Sequence, residues 1–474
     1  MGSTLNTDGL SRSMRLSIVE GGLATAMGSL LSGVFLTGFA LALGASQIQI
    51  GILFTLPPLC AMAQLVGSYS IERHGNTKWL CMWATAVSRL LYIAVLAVPL
   101  LLSGLSANAK VWCVVALMAT SHIFASIGGV AWLAWIKALV PGHVRIPFFG
   151  RRNLVNTLLS FSVCLVGAAM LDIWGKGEYW IIGFAMVFFA AMTCGGVGWW
   201  VLLRIPAANA VISPEESFGK KLIVPLRDSS VRRIIAYYAT WNLAANLAAP
   251  FIPVFYLSTL GLPFAYIMLL NMLNSVSGIA ANRFWTRLAH RFGVKPVVMV
   301  ASVGEAFVPL CLVFVHPENA WLLVVVHLAG VFNTPMAIAP DNFVLKLAPD
   351  RNASPYMAVF RAVVGPVTAV AAVLGGWLAG SWGGNSLFGQ FDASGLKLIF
   401  LISFVGRIAS LALLAGVREP DAVSLRYIVR VYRRYFRLRR PASIPATLEL
   451  PQPQPNMEPL RLAGSCADDL SRAA

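Results

Sequence analysis

The sequence predicts an all-α membrane protein: twelve transmembrane helices arranged as two pseudo-symmetric six-helix halves. Three observations carry that prediction. Of the 474 residues 58% are hydrophobic and only 12% charged, about half the charged share of a soluble domain. Apolar runs of about 20 residues follow one another, the length that crosses a bilayer as a helix, since lipid offers backbone groups no partner outside their own segment. A short basic turn, "SIERHGNTKWL" at 70–80, returns as "LAHRFGVKPVV" at 288–298, each time between two apolar runs.

Taken in order, a tail at 1–15 leads into a first half at 16–203, with spans at 16–43, 48–70, 79–102, 111–136, 154–174 and 178–203. The first run is too long for a secretory signal and lacks a small-residue cleavage site, so it is expected to remain. A linker at 204–233 carries "PAANAVISPEESFGKK", polar and punctuated by proline. The second half, 234–417, has spans at 234–259, 262–284, 296–315, 319–345, 354–380 and 396–417. The two basic turns fall between the second and third spans of each half. A second correspondence pairs "LVPGHVRIPFFGRRN" (139–153) with "LAPDRNASPYMAVFR" (347–361), both leading from a fourth span to a fifth. Matched loops at matched positions are the signature of a parallel repeat.

A basic juxtamembrane segment follows at 418–440. In 424–440, Leu425, Ile428, Tyr432, Tyr435 and Phe436 recur at helical spacing and arginines fill the other positions. That pattern predicts an amphipathic helix on an anionic leaflet; a solvated basic tail is the plainer alternative. The last segment, 441–474, is proline-rich at its start and expected to be disordered.

Lysine and arginine orient the bundle. With both termini cytoplasmic, 31 of the 36 basic residues lie in loops, tails and span ends on the inner side; Lys110, Lys176 and Lys397 lie outside, and Arg89 and Arg407 fall inside spans. This asymmetry obeys the positive-inside rule. It also accounts for the net charge of +17 without nucleic acid, as topology signals facing anionic lipid. Six of the seven cysteines lie in spans and the seventh, Cys466, in the tail, so neither a disulfide framework nor a metal site is expected.

With the paired turns in place, the chain resembles the major facilitator superfamily over about 16–417. That family's loop runs Gly-x-Leu-x-Asp-Arg-x-Gly-Arg-Lys-x-x-Leu; here Glu72, standing for the acid, Arg73, Gly75 and the closing Leu80 match in the first copy, while Ser68, Asn76 and Thr77 depart from it. In the second copy Arg291, Gly293 and Lys295 match, and His290 replaces the acid. More narrowly, 131–153 is similar to the segment joining helices 4 and 5 in a group of little-characterised bacterial members. The resemblance implies a bacterial inner membrane and a cavity lined by helices 1, 4, 7 and 10, with 3, 6, 9 and 12 as outer supports. It also implies a gate in which the first loop's acid docks at the start of helix 11. Glu72, Arg73, Gly75, Arg291, Gly293, Lys295, Asp341 and Arg361 are the candidates for that gate.

Polar side chains on inward faces are the candidates for substrate binding. Helix 1 carries Thr25 and Ser29 on one face, although hydroxyl residues also pack helices closely. Helix 7 carries Asn242 and Asn246, followed by Pro250 and Pro253, which predict a bend. Helix 8 carries Asn271 and Asn274. Buried asparagines cost more than serine unless bonded, which makes these four the stronger candidates. His122 on helix 4 and His327 on helix 10 titrate near neutral pH and are candidates for substrate or proton; packing is the commoner role of a lone histidine. Arg89, Glu305 and Arg407 lie on outer supports, where buried pairing is expected, with Glu305 the candidate proton-coupling carboxylate. Glu20 lies near the inner end of helix 1, within reach of water.

No phosphate loop, hydrolase triad or metal-ligand spacing is present in the sequence, so neither enzymatic activity nor a cofactor is expected. The resemblance implies a monomeric secondary transporter of a small organic solute, coupled to protons. Two alternatives stay open: a lipid or hydrophobic-molecule flippase, and a non-transporting sensor or assembly factor.

Overall fold

The computed structural model describes residues 7–175, 177–207, 229–347, 353–382 and 393–417. The central part of the expected linker and the segments at 418–440 and 441–474 lie outside them. The described residues form twelve helical rods: α1 (Thr7–Leu30, then Gly33–Ala42), α2 (Gln47–Cys60, a 3-10 turn, then Gln64–His74), α3 (Thr77–Leu101), α4 (Ala107–Leu139), α5 (Gly142–Trp174) and α6 (Trp180–Leu203) make the first half. The second comprises α7 (Ser229–Ala248, continued through Ile252–Val254 to a π-helical Phe255–Thr259), α8 (Phe264–Phe292), α9 (Val294–Val313), α10 (Leu322–Leu328, then Gly330–Leu347), α11 (Ala353–Trp382) and α12 (Ala393–Ala415). Ten rods are long and apolar enough to cross a bilayer; the other two, α7 and α10, are interrupted.

Several helices start earlier than their apolar runs. α1 begins at Thr7 rather than 16, α5 at Gly142 rather than 154, and α7 at Ser229 rather than 234. A hydrophobic run ends where charge begins, but the backbone ladder continues past it, so that Arg145 and Arg151 sit in the early turns of α5 and Arg232 in the first turn of α7. Pro147, the sixth residue of α5, removes a single ladder donor, the one that would pair with the His143 carbonyl, so its cost is confined to the first turns of the helix.

Local chemistry sets the ends. Ser46 and Gln49 form a reciprocal capping box at the start of α2. Ser106 accepts from Ala109 N–H at the start of α4, and Asn76 accepts from Trp79 N–H at the start of α3. Gly75 and Gly293 hold φ of +67° and +93°, the turns glycine makes without steric cost. Just after each turn a lysine closes another helix: Lys78 Nζ donates to Leu203 and Ile205 carbonyls beyond α6 (2.9 and 2.7 Å). Lys295 Nζ does the same to Ala415 and Val417 beyond α12 (2.9 and 2.7 Å). A cation on terminal carbonyls is favourable, and the duplicated contact displays the repeat in atomic detail.

The apolar core is single at one end of the bundle and double at the other. Away from the basic turns, Phe35, Phe39 and Phe184 of the first half share one cluster with Phe251, Phe264 and Phe400 of the second. At the basic-turn end, Ile71, Trp135, Phe148 and Leu202 form a cluster inside the first half. A separate one, with Tyr237, Phe343, Phe360 and Leu414, lies inside the second.

Candidate functional site

The joined end is held by close packing and by one carboxylate. α2 and α11 approach so closely that a Cβ on Gly51 would overlap the Ala372 carbonyl, and one on Gly376 would crowd Gln47. On the other flank, Asp172 at the end of α5 caps α8. Its Oδ1 accepts from Phe264 N–H (2.7 Å) and its Oδ2 from Ala265 N–H (2.8 Å). Phe35 of α1 stacks on Phe264 (6.4 Å, 13°), and Phe39, Trp180 and Phe184 crowd round them.

Next to this aromatic layer a cavity of about 330 Å³ opens between α1 and α5 of one half and α7 and α8 of the other. Two helix breaks line it. In α1, Ser32 is extended (φ −137°) and Gly33 turns left-handed (φ +56°). The helix restarting at Gly33 has initial N–H groups that its own ladder leaves unpaired, and Gly33, Val34 and Phe35 lie in the cavity wall. In α7, Pro250 and Pro253 remove donors and the helix slips into 3-10 and π geometry; Ile252, Pro253 and Tyr256 line the opposite wall. α1 and α7 occupy the same position in the two halves, so both copies of one helix break at one cavity.

Two of the sequence candidates meet here. Ser29 shares a hydrogen bond with Ser160 of α5 (2.7 Å), and Asn271 of α8 reaches the cavity with no bond to another described residue. Two more stand behind the wall. Asn274 donates to the His327 carbonyl (3.3 Å); His327 Nδ1 donates to Leu323 O (2.8 Å), and its ring lies 5.8 Å from that of Tyr256.

The rest are elsewhere. Asn242 donates to Tyr238 O (2.8 Å) and Asn246 to Asn242 O (3.0 Å), so these amides bond their own helix. Thr25 donates to Gly21 O (2.7 Å). His122 lines a second cavity, within the first half. Of the gate residues, Arg73, Arg291 and Arg361 are exposed, while the side chains of Glu72 and Asp341 lie outside the described structure. Lys295, a gate candidate, donates to the Ala415 and Val417 carbonyls at the end of α12. Glu305 sits 3.9 Å from Arg407, whose guanidinium also faces the Trp241 ring.

Glu20 departs from expectation. Because α1 starts at Thr7, Glu20 is well inside the bundle rather than at a wet end. It is 4% exposed and paired with Arg152 (3.3 Å) and Arg89 (3.9 Å). Arg152 and the Ser32–Gly33 break were both missed in the sequence. Arg152 lies in a segment whose charges read as a loop, and a Ser-Gly pair within an apolar run is a visible signal of a break.

A family model described as Major Facilitator Superfamily matches residues 21–282 and 243–437. A Klebsiella pneumoniae (strain 342) protein assigned to multidrug resistance, MdtD, is 28% identical over 185 residues, 38% of this chain; the chain spans 38% of that relative's length. The solved nucleoside transporter NupG is similar in fold, with a TM-score of 0.62 at 13% identity over 86% of this chain and 99% of that one. A bacterial homologue of the human lysosomal transporter Spinster, inward-facing and unoccupied, reaches 0.64 at 13% identity over 89% of this chain and 100% of that one.

Proposed function

The chain belongs to the Major Facilitator Superfamily, and from that premise we propose that it is a secondary transporter of a small organic solute working by alternating access. The observation that carries this reading is the coincidence of the α1 and α7 breaks with Ser29 and Asn271 at one cavity. Interrupted helices at matching positions of two repeats offer unpaired backbone groups where a solute crosses between halves. A volume of about 330 Å³ suits a small ligand and is short for a two-chain lipid, which favours a solute over the flippase alternative.

In this proposal the halves rock about the shared aromatic core. The basic turns lie in the cytoplasm with both termini, as the lysine and arginine distribution implies, and the segment at 424–440 rests on anionic lipid. Coupling is to protons, with Glu305, paired with Arg407 in the second half, as the candidate carboxylate. Glu72, Arg73, Asp341 and Arg361 form the cytoplasmic latch.

The test is thermal stability of the detergent-purified chain against a panel of uncharged and zwitterionic solutes, at two pH values. A solute at a hundredfold its dissociation constant stabilises by about 2.7 kcal/mol. Ser29→Ala with Asn271→Ala is expected to abolish the shift of any hit. A hit that stabilises the double variant as well as wild type removes this cavity as the substrate site.

A further inference from the structure

The first half holds a second cavity, of about 340 Å³, walled by α1, α3, α4, α5 and α6. Its charges do not balance. Glu20 faces two guanidinium groups, Arg89 and Arg152, whose side chains are 14% and 16% exposed. With the carboxylate ionised the trio carries one net positive charge. The comparable pair in the other half, Glu305 with Arg407, is matched one to one.

The donors do not balance either. Arg89 Nη1 donates to Gly195 O (2.6 Å), but its Nη2 is 3.9 Å from Glu20, beyond hydrogen-bond reach. Arg152 donates through Nε to Ser17 O (3.2 Å) and through Nη2 to Glu20 (3.3 Å), leaving Nη1 without an acceptor among the described residues. Trp132 contributes a third donor: its Nε1 is buried and has no partner among the described residues, while Arg152 lies over its ring at 4.2 Å. Buried donors without acceptors are costly, and charge within a membrane is costlier still. Here a buried unpaired donor, Trp132 Nε1, and two intramembrane guanidiniums line one open space whose other walls include Met27, Leu31 and Tyr92.

We propose that this cavity binds a small organic monoanion through one carboxylate, seated beside Glu20 on the guanidinium donors of Arg89 and Arg152 that Glu20 and the backbone leave free, with Trp132 Nε1–H as an additional donor. A single excess positive charge matches a monoanion, and a guanidinium fork matches the planar geometry of a carboxylate. The apolar walls take the rest of the molecule. This site shares no residue with the cavity between the halves, and its occupancy is read by binding alone. Its failure would leave the transport reading intact, and failure of that reading would leave this site intact.

The experiment is equilibrium binding of radiolabelled benzoate to the full chain in phosphatidylcholine nanodiscs, with benzamide and inorganic phosphate as competitors. Saturable binding is expected, displaced by unlabelled benzoate but not by benzamide. Arg152→Gln is expected to weaken it by about tenfold or more, as loss of a charged hydrogen bond does. Trp132→Phe keeps the ring against Arg152 and removes only the N–H, so it decides the matter if Arg152→Gln fails to fold; about a three- to tenfold loss is expected. The Ser29→Ala, Asn271→Ala double variant is expected to bind normally. Absence of saturable binding, equal displacement by benzamide, displacement by phosphate at equal concentration, or benzoate binding untouched by Trp132→Phe would each overturn the proposal.

Discussion

Removal of the Asp172 carboxylate is predicted to open the joined end of the bundle. Asp172 bonds Phe264 and Ala265 N–H across the boundary between halves, at 2.7 and 2.8 Å. Each bond is charge-assisted, and at the low end of the range such a bond contributes about 1.5 kcal/mol. The pair therefore favours the closed form by about 3 kcal/mol, the attraction of a carboxylate for a helix N-terminus included. Since 1.4 kcal/mol is tenfold, Asp172→Ala is expected to raise the open-to-closed ratio about a hundredfold. A protein that opens this end once in about a hundred molecules would then hold the two forms equally. Spin labels at exposed positions 105 and 314, at that end of different halves, would report this by pulsed dipolar spectroscopy as a second, longer distance. Asp172→Asn keeps one acceptor and is expected to fall between. A lowered melting temperature with an unchanged distance distribution would refute the reasoning, because it would make Asp172 a cap of α8 and nothing more.

Two further outcomes follow from packing and charge. Gly51→Leu should push α2 away from the Ala372 carbonyl and destabilise the protein by about 1–3 kcal/mol, as overpacking does; a denaturation midpoint equal to wild type would show that α11 yields freely. Lys78→Ala and Lys295→Ala should each lower stability by about 1 kcal/mol, since each loses a matching pair of carbonyl contacts at a helix end. A large effect on solute uptake with none on melting, for Lys295 alone, would return that lysine to the gate.

The spans and their pairing into halves were legible because lipid leaves so few solutions: a long apolar run is a helix, and a repeated turn marks a repeat. The left-handed glycines at 75 and 293 and the bend at Pro250–Pro253 were legible for the same local reason, backbone geometry tied to one residue type. The site was only partly so. Asn271 and Asn246 look alike in sequence, yet one faces a cavity and the other bonds its own helix, a difference set by helix rotation within the bundle. Arg152 was invisible as a partner of Glu20, being 132 residues away in a stretch whose charges suggested a loop. Lys295 shows the converse: a motif lysine that the tertiary structure uses on a helix end no local pattern could point to.

The layer of Phe35, Phe39, Phe184 and Phe264 also bears on what the protein withholds. In the proposed alternating access, with the opposite end open, this layer is what would separate the two aqueous compartments. Rings packed this closely leave little room for a file of water, which is what such a carrier needs to hold protons and small ions back. A carrier that draws on such a gradient depends on that tightness as much as on its binding site, for any leak would run the gradient down without moving cargo.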